Sequence, residues 1–246
     1  MDPETIAALA VMFAVGAALY SSVGHGGASA YIATMALFSV APEAMKPTAL
    51  ALNLLVAGFG AWRYWSKGLS NWKLVLAFAA TATPAAFLGG GIHLPAIYYK
   101  PLVGILLWLA AARLLWQPTR IAEQEVHGPP LRISLPAGAV LGLLAGLTGT
   151  GGGIFLSPLI ILFGWEEPRR TSGVVAAFIF LNSAAGLAGN VASIGRLPAE
   201  LPIFLAAVAV GALLGTWLGI GKLPRPWLLR FLGAVLVVAG AKLLFT

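Results

Sequence analysis

Two glycine clusters carry the chemistry that stands out in this chain of 246 residues. Gly24-His25-Gly26-Gly27-Ala28 and Gly149-Thr150-Gly151-Gly152-Gly153 each interrupt an apolar run. Glycine clusters are costly inside a helix. In a bilayer, irregular backbone survives only where protein or a wet cavity covers it. Two matched breaks therefore predict a binding site. A glycine turn frees backbone N–H groups, and a helix N-terminus adds unpaired donors and partial positive charge. Two such ends converging would hold a small oxyanion without a fixed cation. Gly24, Gly26, Gly27, Gly149, Gly151, Gly152 and Gly153 would expose that backbone. His25 and Thr150 occupy equivalent motif positions and would face the anion, with Asn53 and Asn182 as second contacts. A protonated His25 would add charge or carry a coupling proton. The packing alternatives stay open at this point, because glycines in membrane helices also serve close approach and asparagines also bond across helices.

Other chemistries find few residues. The polar groups expected at depth are Ser21, Ser22, His25, Ser29, Asn53, Thr81, Thr83, Thr148, Thr150, Ser157, Asn182, Ser183 and Asn190. Catalysis would need a nucleophile with a base, or metal ligands. Of three histidines, only His25 lies in apolar sequence; His93 and His127 fall in expected loops. An intramembrane hydrolase would pair His25 with Ser21, Ser22 or Ser157, and no third orienting group accompanies them. There is no cysteine, which excludes disulfide and thiol chemistry. The reading is no catalytic residue, no metal and no cofactor. A strictly cationic pathway would show acids within the membrane, and no Asp or Glu falls clearly in the middle of a span.

The elements that position these residues follow from composition. The chain is 59% hydrophobic and 9% charged, against roughly 25% charged in soluble domains. With mean hydropathy +0.91 it reads as an all-α integral membrane protein. The strand alternation of a β-barrel is absent. The acidic start Met1-Asp2-Pro3-Glu4 lacks the positive flank of a signal peptide, so the first segment is expected to be a retained helix. The basic residues lie in short loops, which fits membrane orientation rather than a nucleic-acid surface.

Apolar runs between breakers give ten segments, near 6–23, 26–40, 46–65, 72–92 and 97–117, then 134–149, 152–165, 171–191, 199–220 and 226–245. The polar stretch at 118–132 is expected to be a cytoplasmic linker between membrane repeats at 1–117 and 133–246. In each half the glycine motif precedes a short apolar run ending at Phe38 or Phe163, then Pro42 or Pro168, then a helix with one asparagine. Five segments per half would invert one repeat relative to the other. Alternating from Met1 places eleven basic residues on one side and only Lys46, Lys100, Arg196 and Lys242 on the other. The positive-inside rule then sets both termini outside the cytoplasm, with Lys46, Arg169 and Arg170 as interfacial marks or, alternatively, parts of an anion-attracting vestibule. The segments around the glycines are shorter than the rest, which predicts broken or re-entrant helices there.

The paired Gly-x-Gly-Gly motifs, Pro158, and the run Asn182-Ser183-Ala184-Ala185-Gly186-Leu187-Ala188-Gly189 resemble the TauE/SafE sulfite exporter family. The resemblance covers nearly the whole chain. In the first copy Ala28 and Ala33 stand where the second has Gly153 and Pro158, so the first half is the more divergent. The resemblance implies movement of sulfite, organosulfonates or related sulfur-containing anions across the plasma membrane, driven by an ion gradient.

The expectation is a secondary transporter working by alternating access, not an enzyme. Its partners would be a small anionic substrate, a coupling H+ or Na+, and the lipid bilayer; nucleic acid is not among them, and an oligomer is allowed. An anion channel is the nearest alternative, and a non-transporting membrane subunit is a further one. Sequence leaves the substrate, the direction of transport and the coupling ion open.

Overall fold

The computed structural model describes residues 2–22, 24–115, 126–219 and 225–245. They form ten α-helices and one 3-10 turn: α1 (Pro3–Ser21), α2 (Ala28–Leu37), α3 (Pro42–Ser66), α4 (Trp72–Gly91), α5 (Ala96–Leu115), α6 (Leu131–Thr148), α7 (Gly153–Leu162), α8 (Pro168–Gly189), the turn at Val191–Arg196, α9 (Leu201–Gly219) and α10 (Arg225–Phe245). No strand occurs among the described residues. Of the linker expected at 118–132, residues 118–125 lie outside the described residues, as do Arg120 and Lys222 of the charge count.

Local sequence explains the helix starts. Asp2 caps α1 by accepting from the Thr5 N–H at 3.0 Å, with Pro3 in the first turn. Pro42 and Pro168 likewise stand in the first turns of α3 and α8, where no side chain caps the helix. Asn71 caps α4, accepting from the Leu74 N–H at 3.2 Å, and donates to Glu166 Oε2 at 2.6 Å. Among the described residues, five helices (α1, α3, α4, α6 and α8) are long and apolar enough to cross a membrane.

Helix pairs cross between the halves. Gly138, Gly142 and Gly146 of α6 press on the carbonyls of Phe78, Ala82 and Ala86 of α4. Gly211 and Gly215 of α9 press in the same way on Ala14 and Ala18 of α1. Residue numbers rise together in both pairs, so each runs parallel. Bare glycine faces let the backbones touch, which is how membrane helices gain packing energy without a hydrophobic drive. By contrast α3 and α8 run antiparallel, with Asn53 beside Ser183 and Gly60 beside Ala176. Trp108 of α5 donates to the Val237 carbonyl of α10 at 3.0 Å.

The loops sort to two ends. At one end Lys242 Nζ donates to the Leu37 carbonyl at 2.8 Å and Ser39 Oγ at 2.9 Å, and Arg196 meets His93 at 3.4 Å. This is the His93 end. At the Asn71 end, besides the Asn71–Glu166 bond, the His127 N–H donates to the Gly164 carbonyl at 3.2 Å and Arg63 donates to Thr216 at 3.0 Å. Buried clusters fill the space between. One gathers Phe13 edge-on to Tyr31 and Phe204, with centroids 5.4 and 5.1 Å apart. The other centres on Phe78, Trp165 and Phe178.

Two expectations change here. The shortness expected on both sides of each glycine motif falls on one side only. Helices α1 and α6 have 19 and 18 residues, while α2 and α7 have 10 each, about 15 Å of helix. The glycine loop consumes the rest of the return path. Lys46 was expected at an interface, yet it is buried, because α3 begins four residues earlier at Pro42 and carries it inward.

Candidate functional site

Each long helix of a glycine hairpin runs deep, and a loop then climbs back before the short helix starts. Gly24 packs against the backbone of Ser172 in the first turns of α8. Gly149 packs against the backbone of Lys46 in the first turns of α3, with its Cβ position 3.0 Å from the Lys46 carbonyl oxygen. Ser172 and Lys46 are each the fifth residue of their helix, counted from Pro168 and Pro42. The two loops thus make the same contact with opposite halves.

Both loops then reach Asn53. A Cβ on Gly26 would collide with Asn53 Oδ1, and one on Gly151 would collide with Asn53 Nδ2. Asn53 is 1% exposed. Its Nδ2 donates to Ser183 Oγ at 3.0 Å, while Oδ1 has no donor. An amide nitrogen carries two hydrogens, so a second N–H remains on the side of Gly151. Tyr31, one turn into α2, donates to the Gly26 carbonyl at 2.8 Å and turns that peptide's oxygen away from the centre.

The backbone amides near Asn53 are matched. Gly24 donates to Ser21 and His25 to Tyr20, but among the described residues no acceptor pairs with the N–H groups of Gly26, Gly27, Ala28 and Ser29. In the second loop Gly149 donates to Ala145 and Thr150 to Thr148 Oγ1, and the N–H groups of Gly151, Gly152, Gly153 and Ile154 are likewise unpaired. All eight residues are buried. Buried backbone donors are almost always satisfied. Helix starts account for part of the deficit, and neither α2 nor α7 has a side-chain cap. The left-handed backbone at Gly27 (φ 98°) and Gly152 (φ 75°) directs the chain into each short helix, and a side chain is strained there.

The remaining candidates separate. His25 is half-buried and its ring lies 6.3 Å from that of Tyr20. Thr150 is buried with its hydroxyl 3.0 Å from Thr148, so it is turned along its own loop. Gly153 packs on Ile179 and Val175. Asn182 points at α4, where Thr83 is 3.5 Å from its Oδ1, and its Nδ2 has no acceptor. Aligning Pro42 with Pro168 pairs Asn53 with Ile179, so the asparagines are not repeat partners. Ser183, one turn beyond Ile179, is the residue of α8 that bonds Asn53. Sequence reasoning placed Ser183 at depth but gave it no role.

The chain belongs to the sulfite exporter TauE/SafE family, whose model matches residues 8–243. It is therefore a multi-pass membrane protein of a transporter family. It is 41% identical over 248 residues to the probable membrane transporter protein y4hK of Sinorhizobium fredii, covering 100% of both chains. It is 29% identical over 245 residues to the probable membrane transporter protein YjnA of Bacillus subtilis, covering 92% of this chain and 95% of that protein. No solved structure matches.

Proposed function

We propose that this transporter moves a small sulfur-containing oxyanion, sulfite or an organosulfonate, through a site between the two glycine loops. The observation that carries this reading is a pair of amide runs, Gly26–Ser29 and Gly151–Ile154, that have no acceptor among the described residues and whose first members both pack on Asn53. Each run opens a helix, so the positive ends of α2 and α7 face the same region. Amide donors and a carboxamide suit an oxyanion, and the absence of a fixed charge there favours release over tight retention. Sulfur as the central atom comes from the family alone.

In this reading the halves are inverted repeats, which accounts for antiparallel α3 and α8 and for the exchanged pairs α1–α9 and α4–α6. Asn53 now fills the gap between the loops. Binding requires its side chain to turn or the loops to part. Alternating access then rocks one hairpin against the opposite third helix, where Gly24–Ser172 and Gly149–Lys46 form the two gates. The Asn71 end is cytoplasmic, and both termini lie on the other side of the plasma membrane.

The test is flux and thermal shift with purified protein. Sulfite, sulfate, thiosulfate and methanesulfonate are compared, with and without a sodium or proton gradient. A specific binder is stabilised by its ligand. Saturable, gradient-driven flux with matching stabilisation supports the reading. Anions that neither stabilise the protein nor cross the membrane would sink it.

A further inference from the structure

We propose a second anion site, a vestibule at the His93 end where Lys46 and Asn190 receive the oxyanion before it reaches the second glycine loop. The proposal rests on the anion reading above but on different residues. A cavity of 20 Å³ opens here, lined by Glu43, Lys46, His93, Tyr99, Leu147 and Asn190 among others. That is room for about one water or one anion oxygen, with the rest of a small anion standing in the mouth.

Two buried donors define the seat. Asn190 is 6% exposed, and its Nδ2 has no acceptor. Its backbone is fixed independently, because its N–H donates to Gly186 and Leu187. Lys46 is 7% exposed. Among the described residues no carboxylate bonds its ammonium, which donates to the carbonyls of Gly90 at 2.8 Å, Ile92 at 3.0 Å and Gly89 at 3.4 Å. The ammonium thus caps the C-terminus of α4. Its longest bond is the one most easily surrendered. An anion oxygen taking that hydrogen replaces a dipole with a full charge, and charge-assisted hydrogen bonds are the stronger kind.

The vestibule adjoins the central loop. Leu147 lines it, Tyr99 donates to the Thr148 carbonyl at 3.1 Å, and the Lys46 backbone touches Gly149. The unpaired amides start two residues further, at Gly151. Glu43 at the same wall limits the net positive charge, and His93 bonded to Arg196 stands on the outer side. Such a seat attracts a small oxyanion and releases it readily.

The chain has no cysteine, so Leu94→Cys on the cavity wall supplies a sole thiol. Its alkylation rate by a polar maleimide is measured in purified protein during methanesulfonate titration. Methanesulfonate should slow the labelling. Adding Asn190→Ala or Lys46→Met should raise the anion concentration needed by about tenfold, with KM for flux rising similarly and kcat within about twofold. Adding Asn53→Asp should abolish flux yet leave the protection intact, which separates this site from the central one. Labelling indifferent to methanesulfonate would overturn the proposal. So would protection unchanged by Asn190→Ala, a variant that removes a side-chain amide with no acceptor and therefore tests the site even where Lys46→Met misfolds.

Discussion

Asn53 donates to Ser183 at 3.0 Å across the antiparallel contact of α3 and α8. This bond holds one carboxamide against Gly26 of the first loop and Gly151 of the second. Neither loop reaches Asn53 through a side chain. The convergence depends on bare backbone, and so does the proposed chemistry.

Asn53→Asp places a carboxylate where the proposed anion binds. Flux should disappear, and anion-dependent thermal stabilisation should shrink to the part that the vestibule supplies. Asn53→Ala, which keeps the space and removes the donor, should weaken binding by about 1–2 kcal/mol, roughly tenfold. Anion thermal shifts on both variants decide this, and wild-type affinity in Asn53→Asp refutes the central site.

Gly151→Ala combines a collision with Asn53 and a side chain at φ 75°. Gly26→Ala meets the same asparagine without the positive φ. Both should reduce flux, and Gly151→Ala should cost more stability, by about 1 kcal/mol from the backbone alone. Paired melting curves check the order; equal losses would mean that the left-handed backbone at Gly151 adds nothing.

Gly142→Leu drives a side chain into the Ala82 carbonyl between α6 and α4. Since parallel backbone contact builds this pair, the variant should lose most of its folded yield in size-exclusion profiles. Gly128→Leu, at a position with open space, should retain it.

Asn71→Ala removes the cap of α4 and leaves Glu166 Oε2 without the Asn71 donor. A lost cap costs about 1 kcal/mol, and the abandoned carboxylate bond adds about as much. A lowered Tm is expected, with KM for the anion changed less than by the Asn53 variants, because Asn71 and Glu166 reach the first loop only through the opening turns of α8, where Ser172 meets Gly24.

Gly128→Cys and Gly195→Cys test sidedness, because both positions are exposed with open space and the chain supplies no other thiol. In cells, an impermeant maleimide should label Gly195→Cys directly. It should label Gly128→Cys only after permeabilisation. Labelling of both from outside would refute the orientation.

The sequence by itself determined the membrane class, the family, the two glycine breaks and nearly every helix. Composition and apolar run length are additive properties of the chain, and Pro42, Pro168 and Asn71 write their helix starts locally. Tertiary structure decided which polar groups meet. The sequence offered Asn53 and Asn182 as equals, but helix rotation turns Asn182 toward Thr83 and brings Ser183 to Asn53. It marked Lys46 as interfacial, but α3 starts early enough to bury it beside the α4 carbonyls. Side-chain direction on a helix changes by about 100° per residue. A register uncertainty of one or two positions leaves a span intact and reassigns its polar contacts.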